Sequence, residues 1–208
     1  VSSGELWDDF VEQSVVRGLS GIEALSLIPG TVGGTPVQNV GAYGQEVRNT
    51  IVSIRAYDTE KSELVTFTND MCRFSYRDSI FRHLPNRYII TDVTFKLSKE
   101  KPHIPNYPGV TRYFEEHGMQ NPTLKDIREA ICAIRQTKLP DPKNIASVGS
   151  FFKNPFVSRE KANELKTKYP NVVLFPVDDQ TVKVGAGWLI DTLGLKGQMF
   201  GNLGLYPA

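Results

Sequence analysis

The stretch ASVGSFFKNP, residues 146–155, sets a hydroxyl (Ser150), an ammonium (Lys153) and an amide (Asn154) around two phenylalanine rings. Polar groups on apolar footing in a loop are the usual make-up of a site that holds a small molecule. Further stretches carry groups of similar interest. IPGTVGGTPVQNVGAYG, residues 28–44, is dense in glycine, and the missing Cβ atoms let backbone N–H groups converge on an anion. Gly30, Gly33 and Gly34 could hold a pyrophosphate in this way, while Gln38 and Asn39 read the edge of a heterocycle. CRFSYRDSIFR, residues 72–82, offers Arg77, whose planar fork matches a carboxylate. In QTKLPDPKNIASVGSFFKNP, residues 136–155, Lys138 stands just past a helix end, Pro140 and Pro142 stiffen the approach, and Gly149 frees the backbone before Ser150.

Each stretch also has a plainer reading. A glycine run alone is more often a set of structural turns, and this one has neither G-x-G-x-x-G between a strand and a helix nor GxxxxGK[ST], so a Rossmann or P-loop site is not supported. If 72–82 is extended, Tyr76, Asp78 and Ile80 share one face and Arg77 and Ser79 the other; a surface pair between Arg77 and an acid fits that pattern as well. Ser150 can simply bond its own loop, with Phe151 and Phe152 packing below it. The three histidines, His83, His103 and His117, fall in predicted loops, and with no GxSxG motif there is no catalytic triad. TVKVGAGWLIDTLGLKG, residues 181–197, reads as a strand end packed closely on a short helix, with Trp188 and Leu189 in the core.

The elements that must position these groups follow from periodicity. Residues 2–17 predict a helix, with Ser2 and Glu5 at capping-box spacing, Leu6, Phe10, Val11 and Val15 on one face, and Gly18 as the stop. Residues 18–44 hold too many breakers for a helix and too few charges for disorder, which predicts an ordered chain of tight turns. Val52, Ile54 and Ala56 alternate with Ser53, Arg55 and Tyr57; ELVTFT (63–68) and the run Ile89, Val93, Phe95, Leu97 complete a largely antiparallel sheet. Residues 99–122, rich in proline and charge, read as a linker, which sets a domain boundary at 98/99. Thr123 then caps a helix with Leu124, Ile127, Ile131 and Ile134 on one face, Ser158 opens a shorter helix through Lys168, and a last helical turn ends at Gly194. The fold class is α+β.

At 208 residues the chain is long enough to bury roughly 70% of its unfolded surface. Lys and Arg number 24 against 23 Asp and Glu, so no long-range field favours nucleic acid or an anionic membrane, and any anion must be held by local geometry. Cys72 and Cys132 form no CxxC, which argues against a disulfide scaffold or a metal site and for two core thiols in a reducing compartment. No apolar run approaches the ~20 residues of a membrane span, and VSSGELWDDF is not a signal peptide, so a cytoplasmic protein is expected. The sequence starts without methionine and stops at GNLGLYPA, and it reads as a fragment.

Taken in order, GLSGIEALSLIPGTVGGTPVQNVGAYGQE, CRFSYRDSIF, TKLPDPK, SVGSFFKNP, KVGAGWLID and LKG closely resemble the UDP-N-acetylenolpyruvoylglucosamine reductase family, the MurB enzymes of bacterial peptidoglycan synthesis. The resemblance runs from about Gly4 to the last residue. It implies an FAD-binding domain of the vanillyl-alcohol-oxidase (PCMH) type, its second part here as residues 1–98, followed by an α+β substrate-binding domain, 99–208, C-terminally incomplete. The implied enzyme uses FAD and NADPH to convert the enolpyruvyl ether of UDP-N-acetylglucosamine to UDP-N-acetylmuramate, with Arg77 stabilising the enolate and Ser150 protonating it. Tyr76, Tyr107, Lys138 and Asn154 match substrate-binding positions, and Gly30, Thr31, Val32, Gly33, Gly34, Asn39, Gly41, Ala42 and Tyr43 match the flavin cradle.

Family members also carry an upstream glycine-rich segment that grips FAD and a C-terminal glutamate that assists the serine and arginine, and neither is in these residues. A chain physically this short is therefore expected to bind flavin weakly and turn over little. The alternatives are another flavin oxidase of the same superfamily, or a non-catalytic nucleotide-binding fragment. No nucleic-acid partner and no membrane insertion are expected, and the oligomeric state is not legible.

Overall fold

The computed structural model describes residues 1–141 and 144–207; Pro142 and Lys143 of the LPDPK stretch, and Ala208, lie outside the described residues. Val1–Arg135 and Gln136–Ala208 form separate units. Residues 99–135 thus pack with the first unit, whereas the sequence reading starts a second domain at residue 99.

In the first unit α1 spans Trp7–Val16, later than the predicted start at Ser2. Ser2 pairs instead with Asp92, and the Ser3 N–H donates to the Thr91 carbonyl at 2.9 Å. Sheet-edge hydrogen bonds have replaced the expected capping box, and Leu6 at the N-cap makes no side-chain cap. The buried face is Trp7, Val11 and Ser14, while Leu6 is exposed. The Trp7 indole fills the core and donates from Nε1 to the Leu25 carbonyl at 2.9 Å, which satisfies its one polar atom. Gly18 ends the helix as expected, its N–H bonded to the Val15 carbonyl at 2.9 Å.

The ordered turns are 3₁₀ segments at Glu23–Leu25, Val32–Gly34 and Val47–Asn49. Between the last two lies a small hairpin, β1 (Gly41–Ala42) and β2 (Gln45–Glu46), with Gly41 opposite Glu46. Then come β3 (Ile51–Asp58), β4 (Glu63–Thr68), α2 (Ile80–His83) and β5 (Tyr88–Phe95). The three long strands form one antiparallel sheet in the order β4–β3–β5. A register shift between Ile51 and Ser53 turns Ile51 inward and leaves Val52 exposed, against the expected alternation; an extra residue in a strand does this by flipping the faces on one side of it. Ile54 and Val93, paired across the sheet, are fully buried in the same cluster as Trp7, Ile22, Leu25 and Val32. Each such side chain contributes roughly 1.5–3 kcal/mol by leaving water.

The predicted linker contains a helix, α3 (Pro108–Glu116), begun by a proline at the first turn and burying Val110 and Phe114. It packs with α4 (Leu124–Lys138), whose Ile127, Ala130, Ile131 and Ile134 complete a second core cluster. Thr123 caps α4 as expected: its Oγ1 accepts from the Asp126 N–H at 3.3 Å, and the Asp126 carboxylate accepts from the Thr123 N–H at 2.7 Å. Arg128 of α4 forks onto Asp8 of α1 at 2.7 and 3.0 Å. Cys72 is buried, its thiol pushed up to about 12 by desolvation, and Cys132 is half-buried.

The second unit holds β6 (Phe156–Ser158), α5 (Arg159–Lys168), β7 (Leu174–Pro176), β8 (Thr181–Val184), α6 (Ala186–Thr192) and a terminal hairpin, β9 (Met199–Phe200) with β10 (Leu203–Gly204). β6–β8–β7 is again antiparallel. Ser158 caps α5, its Oγ accepting from the Lys161 N–H at 3.1 Å. A Cβ on Gly185 would lie 3.2 Å from Val173 Cβ, the close approach expected at the strand end, although Trp188 and Leu189 are only half-buried. Among the described residues no helix is long and apolar enough to cross a membrane, and no group of three or more His, Cys, Asp or Glu could hold a metal.

Candidate functional site

Segment 72–82 is not extended. The Ser75 N–H donates to the Asp78 carbonyl at 3.1 Å and the Asp78 N–H to the Ser75 carbonyl at 3.3 Å, closing a tight turn with Arg77 in the left-handed region at φ 55. The two-face alternation that an extended segment would have does not arise, and the turn aims the guanidinium back at the glycine-rich loop. Arg77 Nη2 donates to the Gly41 carbonyl, and Nη1 donates to the Asn39 carbonyl at 3.4 Å and stands 3.9 Å from Glu46 Oε1. Its guanidinium carbon lies 5.1 Å from the centre of the Tyr76 ring, a cation–π distance. A Cβ on Gly41 would lie 2.7 Å from Arg77 Nη1, 2.7 Å from Glu46 Cγ and 2.9 Å from the Gln45 carbonyl, so only glycine lets the cation sit there.

The glycine-rich loop is built differently from the expected nest. The N–H groups of Val32, Gly33 and Gly34 donate inward to the carbonyls of Glu5 at 2.9 Å, Ser3 at 2.9 Å and Thr31 at 3.0 Å, so Gly33 and Gly34 do not offer theirs to an anion. A Cβ on Gly33 would meet Ser3 Cβ at 2.5 Å; this glycine is needed for chain packing. The outer rim is open: a Cβ on Gly30 meets nothing within 4 Å, and Gly34 meets only Thr31 Oγ1 at 3.9 Å. Asn39 is buried, with φ 46, and its amide is committed to the interior, donating to Glu46 Oε2 at 3.0 Å and the Ser75 carbonyl at 2.9 Å and accepting from the Arg48 N–H at 3.2 Å. It does not present an edge to a heterocycle. Gln38 is exposed and Ala42 half-exposed.

Tyr43, at the hairpin tip with φ 48, meets Tyr107 edge-to-face at 5.0 Å. Both rings lie against the α3–α4 cluster, and Tyr107 is the N-cap residue of α3. Burial pushes the Tyr43 phenol above its ordinary value, only partly offset by Arg135, which hydrogen-bonds it. Arg135 Nη2 also donates to the Leu27 carbonyl at 3.3 Å, and its Nε is buried without a partner.

The remaining candidates belong to the second unit. Residues 144–153 are exposed throughout, including Ser150 after the left-handed Gly149 (φ 69). Phe151 and Phe152 pack edge-to-face on each other at 5.1 Å but remain 75% and 59% exposed, so they are not the buried footing the sequence suggests. Asn154 is half-buried and its Oδ1 accepts from the Ala186 N–H at 2.9 Å, tying the loop to the start of α6. Lys138 is the exposed last residue of α4. The structure thus gathers Arg77, Tyr76, Asn39 and Gly41 at one place and Tyr43 with Tyr107 at another, whereas Ser150, Asn154 and Lys138 lie in the other unit. Glu46, which touches three of the gathered groups, is not among the sequence candidates; its position opposite Gly41 in the GAYGQE hairpin is the one signal for it.

Residues 1–68 match the family model of an FAD binding domain, and residues 141–208 match that of the UDP-N-acetylenolpyruvoylglucosamine reductase C-terminal domain. The chain is similar to UDP-N-acetylenolpyruvoylglucosamine reductases from Pseudomonas aeruginosa (45% identity), Flavobacterium johnsoniae (44%) and Neisseria gonorrhoeae (46%), in each case over 98% of this chain. It spans 60%, 61% and 60% of those relatives' lengths. The crystal structure of the reductase from Thermus caldophilus superposes with a TM-score of 0.62 at 24% identity, over 96% of this chain and 55% of that one, which speaks to the fold. Fold and matches define an α+β protein in which an FAD-binding domain precedes a reductase C-terminal domain. The chain belongs to the UDP-N-acetylenolpyruvoylglucosamine reductase family.

Proposed function

We propose that this chain forms part of an FAD- and NADPH-dependent reductase that converts the enolpyruvyl ether of UDP-N-acetylglucosamine to the lactyl ether of UDP-N-acetylmuramate, a step in building peptidoglycan. What carries the reading is Arg77: a partly buried guanidinium held at the rim of the glycine-rich loop by two backbone carbonyls, in a chain 45% identical to a named reductase over 98% of its length. Residues 1–98 serve the cofactor, with Tyr76 and Arg77 turned to the substrate, and residues 99–208 serve the sugar nucleotide.

The loop leaves room on its outer side for a cofactor: a Cβ on Gly30 would meet nothing within 4 Å and one on Gly34 only Thr31 Oγ1 at 3.9 Å. Gly30, Thr31 and Gly34 would face the cofactor from this rim, Val32, Gly33 and Asn39 hold the loop from inside, and Gly41, Ala42 and Tyr43 would complete the cradle from the neighbouring hairpin. FAD held there and reduced by NADPH would supply the hydride that the methylene carbon of the enolpyruvyl group takes up. The π-electron pair then moves onto the neighbouring carbon and its carboxylate as an enolate. Arg77 faces that carboxylate, where a fixed donor at a developing oxyanion is worth roughly 10²–10³ in rate. Ser150 Oγ gives its proton to the enolate carbon and is reprotonated from solvent; held in place, even a weak acid suffices against so basic a carbon. Tyr76 and Tyr107 line the sugar nucleotide, Lys138 meets phosphate, and Asn154 holds the serine loop.

Stopped-flow kinetics of the flavin-loaded protein test this. In Ser150→Ala, reduction by NADPH stays at the wild-type rate, while reoxidation by the enolpyruvyl sugar nucleotide slows by about 10²–10⁴-fold. Reoxidation at the wild-type rate would remove the serine from the mechanism.

A further inference from the structure

A guanidinium has two edges that can take a carboxylate: the end edge, Nη1 with Nη2, and the side edge, Nε with Nη2. In Arg77 both Nη groups are engaged within the chain, Nη1 by the Asn39 carbonyl at 3.4 Å with Glu46 Oε1 at 3.9 Å, and Nη2 by the Gly41 carbonyl. A substrate carboxylate therefore meets a guanidinium whose Nη groups are already held.

Carbonyls alone do not choose that arrangement. Two dipoles hold a cation weakly, and an arginine at the end of a turn keeps several rotamers that reach an acceptor. The third element is charge. Glu46 is itself held in place: its Oε2 accepts from Arg48 Nε at 2.7 Å and from Asn39 Nδ2 at 3.0 Å, and its side chain is only 19% exposed. Its other oxygen is thus aimed at Arg77 by contacts that do not involve Arg77. Gly41, directly across the hairpin from Glu46, leaves the gap through which the carboxylate and the guanidinium meet.

We infer that Glu46 is the positioning residue of Arg77, fixing the guanidinium at its Nη1 end so that it keeps one orientation toward the carboxylate of an enolpyruvyl-type substrate. Its role in catalysis rests on the reading of Arg77 above; its role in orienting Arg77 does not.

The primary test is nitrogen-15 NMR of the arginine side chains in this chain without ligand. In the wild type the two Arg77 Nη groups give separate, slowly exchanging signals, assigned by their loss in Arg77→Lys. In Glu46→Gln, which keeps the acceptor for Asn39 and removes the charge, the signals merge and the Nε–H exchanges with solvent at least tenfold faster. Glu46→Asp withdraws the carboxylate by one methylene and gives the same merging, which covers the case in which Glu46→Gln fails to fold. Unchanged Arg77 signals in a folded Glu46 variant would overturn the inference. The second arm is reoxidation of the flavin-loaded protein by the enolpyruvyl sugar nucleotide: Glu46→Gln slows it about tenfold with NADPH reduction unaltered, and adds nothing in an Arg77→Lys background. Wild-type reoxidation in Arg77→Lys would defeat the functional reading while the NMR result stands; independent, multiplicative effects of the two substitutions would defeat the positioning role while the functional reading stands.

Discussion

At Gly41 one absent methyl group decides where a cation lies. Gly41→Ala places a carbon 2.7 Å from both Arg77 Nη1 and Glu46 Cγ, and because the Gln45 carbonyl stands at 2.9 Å on the third side, the side chains must give way. An ångström of displacement at a reacting group can cost about 10²-fold in rate, so Gly41→Ala is expected to slow substrate-driven reoxidation by about that factor with the chain still folded. Rapid kinetics beside a circular-dichroism melt check this; wild-type reoxidation in the variant would show that Arg77 tolerates the shift. Arg77 stands out in the sequence as a planar fork that suits either a ligand carboxylate or a surface acid, and Gly41 as part of a glycine run. Their mutual contact does not, because it joins residues 36 positions apart through a left-handed turn that no periodicity announces. The same holds for Asn39, whose type suggested ligand recognition and whose burial spends its amide inside the protein.

The elements divide by whether their ends are set locally. Thr123 and Ser158 cap the helices they were expected to cap, since capping is decided within four residues. Ser2 fails as a cap because a distant strand, β5, offers its backbone a better partner. Helix α3 was masked by proline density, although Pro108 in the first turn is compatible with a helix and Val110 and Phe114 have its spacing. The join between α1 and α4 is the Asp8–Arg128 fork, reinforced by the Leu27 N–H, which donates to Asp8 Oδ1 at 2.6 Å. Burial pushes the Asp8 carboxyl up, but the hydrogen bonds from Arg128 and Leu27 and the charges of Arg128 and Arg135 outweigh it and hold it below its ordinary value. A carboxyl lowered on folding contributes its full stability above the unfolded value of about 3.9 and loses it as pH falls through the lower folded value. Asp8→Asn is therefore expected to cost roughly 2 kcal/mol near pH 7, the worth of a charge-assisted hydrogen bond, and less as the solution is acidified below pH 4. Denaturant melts of both proteins across pH read this out, and a difference independent of pH would rule out the ion pair as its source.

Over the whole molecule, composition and strand patterning were enough for an α+β fold with antiparallel sheets, but not for the division at Arg135, because no linker-like composition marks a boundary inside a helix. The two units differ in what holds them. The first buries Trp7, Ile22, Leu25, Ile54 and Phe67 in one cluster and Ile127 and Ile131 in another, whereas among the described residues of the second the buried apolar side chains are Ala162, Val172, Val182, Val184 and Ala186, none larger than valine. Stabilisation follows apolar area removed from water, and small cores are marginal. The second unit is thus expected to open locally far more often than the first. Hydrogen exchange should find the amides of β6, β7 and β8 at least ~10²-fold less protected than those of β3 and β5, a gap of about 3 kcal/mol in opening free energy. If the second unit holds the sugar nucleotide as proposed, adding that ligand should slow exchange there and leave β3 and β5 nearly unchanged. Equal protection in the two sheets without ligand would mean that the second unit draws its stability from more than its own core.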